Sequence, residues 1–160
     1  MNFLQNCIKS LCFIFVMRYN LGCEKGGSMT DYDVFTREEV TKLLLELGMP
    51  ANLQGFRCLQ LCVLKVIEDP SLLRKVTKNL YPLVGKEFAI DGSVVERSMR
   101  HSTDIGFYKT QFKPLCKLYD MDENHWTYKP TSSELIALLA EYVRFQAEKN
   151  GLAPEQAKQN

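Results

Sequence analysis

The chain has 160 residues, which suits a single domain of ordinary size with some extra length. Apolar residues make up 46% of the chain and charged residues 24%, so the composition is that of a soluble globular protein and excludes a fibrous or wholly disordered one. The net charge of +1 does not by itself indicate a polyanionic partner. The charge is uneven, however, because residues 74–117 carry nine basic and four acidic side chains, a local charge of +5.

Residues 1–35 differ from the rest of the chain. Their one apolar run, LCFIFVM at 11–17, is far too short to cross a bilayer. No small-residue cleavage site follows it, and Arg18 and Asn20 occupy positions where a lipoprotein signal needs apolar residues. We therefore predict an N-terminal extension or linker outside the fold, no membrane association and a cytoplasmic protein. Met29 is a candidate for an alternative start.

The cysteines, histidines and acidic residues do not form a recognisable metal or catalytic pattern. Six cysteines occur without any CxxC pair, and only two histidines accompany them, which is typical of reduced, partly buried thiols. DMDEN at 120–124 has the oxygen-ligand spacing of a calcium loop, but His125 and Thr131 stand where that loop needs Gly and Glu. No glycine-rich phosphate loop is present. We predict no metal, no cofactor and no enzymatic activity.

The remainder of the chain predicts helices in succession. Thr36 and Glu39 have capping-box spacing and predict the start of the first helix, which ends at Gly48. No strand pattern of useful length appears, so we predict an all-α fold over 36–148 with a frayed tail at 149–160. The later helices are predicted at 55–69, 70–80, 82–88, from Ser93 onward, at about 110–119 and at 132–149, the last behind a capping box of Thr131 and Glu134.

The segment LYPLVGKEFAIDGSVVERSMRHS at 80–102 has the features of a helix-turn-helix unit. A short helix is followed by a turn that contains Gly92 and by a longer helix, which a capping box of Ser93 and Glu96 is predicted to open. Gly85 is small enough to let the second helix approach the first. At helical spacing, the inner face of the second helix is formed by Val95, Met99 and Thr103.

The outer face of this second helix is charged and allows two interpretations. Its members at helical spacing are Arg97, Arg100, His101 and Asp104. A solvated surface is the simpler interpretation. The alternative is a recognition helix, in which Arg97 matches guanine O6 and N7 and Glu96 accepts from cytosine N4.

Four segments in the correct order resemble the C-terminal DNA-binding domain of the stage-zero master response regulator of sporulation. The resemblance extends from about Thr36 to Gln146. It implies a compact bundle of about six helices with a central helix-turn-helix. It also implies a sequence-specific transcriptional regulator that binds double-stranded DNA at a short promoter element, as a tandem homodimer, and contacts RNA polymerase. The segments are VTKLLLELGMPANLQGF, LYPLVGKEF, SVVERSMRH and KPTSSELIALLAE.

Transferred by position, the resemblance assigns base reading to Val94, Glu96 and Arg97. Glu96 and Arg97 keep the family's residue types, whereas the family usually has Arg at the position of Val94. One guanine contact is therefore expected to be lost, at about 1–3 kcal/mol of discrimination. Contacts to the DNA backbone, or support of the helix, are expected of Ser93, Arg100, His101, Lys78 and Lys86.

The resemblance lacks one part, since the family's regulator carries a phosphoacceptor receiver domain before this one. Only 35 residues precede Thr36, and they have no pattern of alternating strands and helices. A free-standing effector, a competitor for the same sites and a truncated gene product all fit this arrangement. The alternative function is a helical protein-interaction module that has lost sequence-specific DNA binding.

Overall fold

The computed structural model describes residues 30–154, and all regular secondary structure in this part of the chain is helical. No strand occurs in that range, which confirms the all-α prediction, and the number of α-helices, six, also agrees. None of these helices is long and apolar enough to cross a membrane. The helices are α1 (Asp31–Glu46), α2 (Gln54–Glu68), α3 (Tyr81–Phe88), α4 (Gly92–Thr110), α5 (Lys113–Leu118) and α6 (Ser132–Lys149).

Helix α1 begins earlier than the sequence pattern predicted. Its capping box is formed by Thr30 and Asp33, and Thr36 is a buried residue inside the helix. The Thr36 hydroxyl donates to the carbonyl oxygen of Asp33 at 3.1 Å, as a threonine within a helix often does. Half-buried Tyr32 packs against the core, which favours an additional turn at this end. Residues 31–35, which were assigned to the extension, thus belong to α1, while residues 1–29 lie outside the described part.

Helix α2 is the centre of the bundle, because it packs against α1, α4 and α6. Its apolar stripe is buried as predicted, and Phe56, Leu59 and Val63 are almost wholly inaccessible. Cys58 and Cys62 are free thiols within this stripe, and burial raises the pKa of Cys58 to about 11 and that of Cys62 further still. Both therefore act as small neutral apolar side chains.

The segment between α2 and α3 is helical but not α-helical. Asp69 caps it as predicted, accepting from the Ser71 N–H at 3.0 Å with Pro70 in the first turn. A 3-10 helix over Pro70–Lys75 is followed by a π-helix over Val76–Leu80, where one continuous α-helix was predicted. No side chain of the 3-10 helix is fully buried, although Leu72 and Leu73 pack partly against the core.

The C-terminal third of the described chain packs against the core. The helix predicted at 110–119 is interrupted because Gln111 and Phe112 are both left-handed, with φ of 49° and 51°, and α5 starts only afterwards. Phe112 is nevertheless fully buried. Helix α6 opens with the predicted capping box, in which the Thr131 N–H donates to Glu134 at 2.7 Å. Half of the predicted tail, residues 155–160, lies beyond the described residues, and Lys149 belongs to α6.

Candidate nucleic-acid interface

Helices α3 and α4 form the predicted helix-turn-helix, joined by a turn of fixed geometry. Ala89 is left-handed, with φ of 53°. The N–H of Ile90 donates to the carbonyl oxygen of Gly85 at 2.9 Å, and that of Ala89 donates to Lys86 at 3.3 Å. This pair of bonds is the Schellman arrangement, which ends α3 and sets the direction of the chain into α4. The left-handed position is one that glycine usually fills.

Two glycines allow the close packing of this unit, with roles slightly different from those predicted. A β-carbon on Gly85 would stand 2.4 Å from the carbonyl oxygen of Ile90, so Gly85 makes room for the turn itself. A β-carbon on Gly92 would stand 3.1 Å from the nitrogen of Pro82. Gly92, in the first turn of α4, is thus the residue that brings the second helix against the start of the first.

The start of α4 differs from the prediction. The N-cap is Asp91, which has extended backbone angles and makes no side-chain capping bond, and Ser93 lies inside the first turn. The carbonyl oxygen of Asp91 accepts from Val94 at 2.9 Å and from Val95 at 3.0 Å. The predicted capping box of Ser93 and Glu96 is therefore wrong. Its physical consequence is that neither side chain caps the helix, so Ser93 is exposed and Glu96 pairs with Arg100 instead.

The inner face of α4 is the predicted one. Val95, Met99 and Thr103 are buried to within 1%. The Thr103 hydroxyl donates to the carbonyl oxygen of Met99 at 2.8 Å, so its burial leaves no unpaired donor. Since these three residues face the core, the opposite side of the helix is directed to solvent.

The outer face carries two parallel stripes at helical spacing, and these bring six of the predicted site residues together. One stripe consists of Ser93, Glu96 and Arg100, and the other of Val94, Arg97 and His101. Ser93, Arg97, Arg100 and His101 are exposed, while Glu96 and Val94 are half-buried.

The first stripe contains an ion pair. Arg100 Nη2 lies 2.7 Å from Glu96 Oε1, and the two side chains are 62% and 36% exposed. Both charges act on Tyr81 of α3. Burial raises the pKa of Tyr81 to about 12, Cys62 and Glu96 raise it by less, and Arg100 lowers it. Tyr81 is therefore neutral at physiological pH.

Arg97 has a different environment. Within residues 30–154 it takes part in no ion pair. Its guanidinium is exposed in the second turn of α4, close to the helix start that leads out of the turn. An unpaired guanidinium presents all its donors to solvent, so it can form two parallel hydrogen bonds to a planar acceptor without first breaking a bond within the protein.

The other two predicted cations lie before α4. Lys86 is exposed on α3, and Lys78 is exposed in the π-helix, which contacts both α3 and α4. Neither has an ion-pair partner among the described residues. Both are thus free to approach a polyanion. They lie on elements that flank α4, however, and not on its outer face.

The structure adds two residues that the sequence analysis did not single out. Lys129 forms an ion pair with Asp104 on the outer face of α4, which brings the 119–131 loop next to that face. Residues 25 positions apart in a loop and a helix give no local signal of such a contact. Tyr108, 90% exposed farther along α4, was also missed, although its helical spacing from Arg97 and Asp104 could have indicated it.

A protein-family model matches most of this chain. It is described as sporulation initiation factor Spo0A C terminal, and it matches residues 40–143, which are 104 of the 160. The matched range runs from the middle of α1 to the second half of α6 and includes the whole helix-turn-helix.

Proposed function

The chain belongs to the sporulation initiation factor Spo0A C-terminal family, a family of DNA-binding domains, and on this basis we propose that it regulates transcription by reading a short promoter element through α4. The observation that carries the proposal is the exposed, unpaired Arg97 in the second turn of the second helix of a helix-turn-helix. The N-terminal part of that helix is the part that reaches base edges when it enters the major groove.

Base reading is proposed for three side chains. Arg97 donates both ends of its guanidinium to O6 and N7 of a guanine, and Glu96 accepts from N4 of a cytosine. Val94 supplies an apolar contact. The Glu96–Arg100 pair supports this arrangement, because it restrains the Glu96 carboxylate on the DNA-facing side of the helix and limits repulsion from phosphates.

Contacts to the DNA backbone are proposed for the surrounding polar residues. Arg100, His101, Lys78 and Lys86 provide cationic or hydrogen-bonding groups, and the Ser93 hydroxyl, which does not cap the helix, is available to a phosphate oxygen. Such contacts fix the position of a protein on the duplex and account for most of the salt dependence of binding.

The wider setting of the proposal comes from the family. We infer binding as a tandem homodimer on double-stranded DNA, a contact with RNA polymerase and action in the cytoplasm, where the promoter DNA lies. This chain would compete with a full-length homologue for the same promoter element by making the same contacts to DNA. The second candidate function, a protein-interaction module without sequence-specific binding, is favoured by Val94, which has no hydrogen-bonding group for a base.

A titration with the full chain tests the proposal. Its affinity is measured for a duplex with the family's promoter element and for a scrambled duplex of equal length, at two salt concentrations. Arg97→Ala should weaken binding to the element by about 1–3 kcal/mol and hardly affect the scrambled duplex, whereas Lys78→Ala should weaken both about equally.

The control is Lys42→Ala, since Lys42 lies on α1, outside the helix-turn-helix, in an ion pair with Glu39. Equal affinity for the two duplexes at physiological salt would contradict sequence-specific regulation. In that case a pull-down without DNA that recovers RNA polymerase or a homologue with a receiver domain would support the interaction module.

A further inference from the structure

Val94 is an apolar residue that the packing of the fold does not explain. It is half-buried on α4, directly before the fully buried Val95. Within the described chain it belongs neither to the buried core nor to the partly buried apolar side chains that pack against it, although nearby Phe88 and Ile90 do. The core therefore does not require its accessible surface, which is open to a contact outside this chain.

The position of Val94 places that surface beside the proposed guanine reader. Val94 precedes Arg97 by three residues and His101 by seven, so the three side chains form one stripe along α4. Val94 is also the member of this stripe nearest the start of the helix, the end that lies deepest among the base edges in a helix-turn-helix complex.

The chemistry of valine restricts what this surface can recognise. It has no donor or acceptor, and a β-branched side chain in a helix strongly prefers one rotamer, so its two methyl groups point in a fixed direction. The apolar group that a base pair presents in the major groove is the 5-methyl group of thymine. We propose that Val94 selects a thymine, or another pyrimidine with a 5-methyl group, at the base pair next to the guanine read by Arg97.

This inference rests on the proposed function, and its test separates the two. Duplexes are selected from a random pool by the full chain, and each thymine of the selected element is then replaced by uracil, which lacks only the methyl group. At one position this replacement should weaken binding about fourfold, the effect of leaving one methyl group's worth of apolar surface in water.

Two variants identify the residue responsible. Val94→Ser, which has no methyl group beyond its β-carbon, should bind the thymine and uracil duplexes equally. Val34→Ser is the control, because Val34 is a surface valine, 39% exposed, on α1 and outside the helix-turn-helix. It should keep the fourfold difference. Far-ultraviolet circular dichroism of both variants checks that the helical content is retained.

The outcomes are distinct. A selected element in which no uracil replacement weakens binding overturns the role of Val94 and leaves the proposed function intact. The same conclusion follows if Val94→Ser still loses fourfold on the uracil duplex. If the selection enriches no sequence at all, the proposed function itself fails, and the inference about Val94 fails with it.

Discussion

A β-carbon on Gly55 of α2 would stand 1.9 Å from the carbonyl oxygen of Ser98 of α4, so the two helices are in backbone contact there. The same β-carbon would lie 2.4 Å from the Ser102 hydroxyl. Because α2 is the centre of the bundle, this contact anchors the proposed recognition helix to the core. Only a residue without a side chain allows it.

Gly55→Ala is therefore expected to be strongly destabilising. A backbone carbonyl cannot move aside as a flexible side chain does, so α2 and α4 must separate, at a cost of about 3 kcal/mol in the free energy of unfolding. Urea denaturation monitored by circular dichroism measures this change. The control is Gln54→Ala, at the exposed neighbouring position. A loss below about 0.5 kcal/mol for Gly55→Ala would mean that the contact is easily relieved.

Ala89→Gly is expected to have the opposite effect. Ala89 ends α3 in the left-handed conformation, φ 53°, which is unfavourable for a residue with a β-carbon. Glycine should raise the free energy of unfolding by about 1 kcal/mol. The control is Ala137→Gly in the middle of α6, where the same exchange should cost about 1 kcal/mol. A loss of stability at both positions would contradict the assigned role of Ala89.

Glu96→Gln distinguishes structural from functional roles of the ion pair with Arg100. The pair is exposed, so the change should alter the free energy of unfolding by less than about 0.5 kcal/mol. Glu68→Gln, which removes the comparable Lys65–Glu68 pair on α2, should do the same. Only Glu96→Gln should alter discrimination at one base pair, by about 1–3 kcal/mol. Competition titrations with single-base variants of the element measure this, and parallel behaviour of the two variants would count against base reading by Glu96.

Glu134 is expected to contribute to the acid sensitivity of the fold. Hydrogen bonds from the backbone N–H and hydroxyl of Thr131 lower its pKa below the ordinary 4.5. A carboxyl group whose pKa is lower in the folded than in the unfolded protein stabilises the fold at pH values above its unfolded pKa. This contribution is lost as the pH falls through its folded pKa. Stability should thus decline below pH 4.5, and the decline should be shallower in Glu134→Gln.

The measurement for this prediction is urea denaturation at a series of pH values between neutral and acidic. Glu38→Gln serves as control, because Glu38 is exposed on α1 and has no capping role. Identical pH profiles for Glu134→Gln and the unchanged protein would show that the Glu134 carboxylate does not contribute to acid unfolding.

The capping boxes show what local sequence patterns can and cannot predict about where a helix starts. Of the three that were predicted, only that of Thr131 and Glu134 is present. Thr36 and Ser93 have the same residue types at the same spacing but lie inside their helices. A hydroxyl three residues before a carboxylate caps a helix only where its own backbone is extended, as at Thr131. At Thr36 the backbone is helical instead, because the helix begins a turn earlier, where Tyr32 packs on the core.

By itself, the sequence determined the helical class, the boundaries of α6, the helix-turn-helix and the stripe of exposed residues on α4. Apolar spacing and short turns express these features locally, within a few residues. The tertiary structure alone decided that Gly55 makes room for Ser98, that Lys129 reaches Asp104, and that Val94 is not used by the core. Contacts between segments far apart in the chain depend on how whole helices pack, and no local pattern records them.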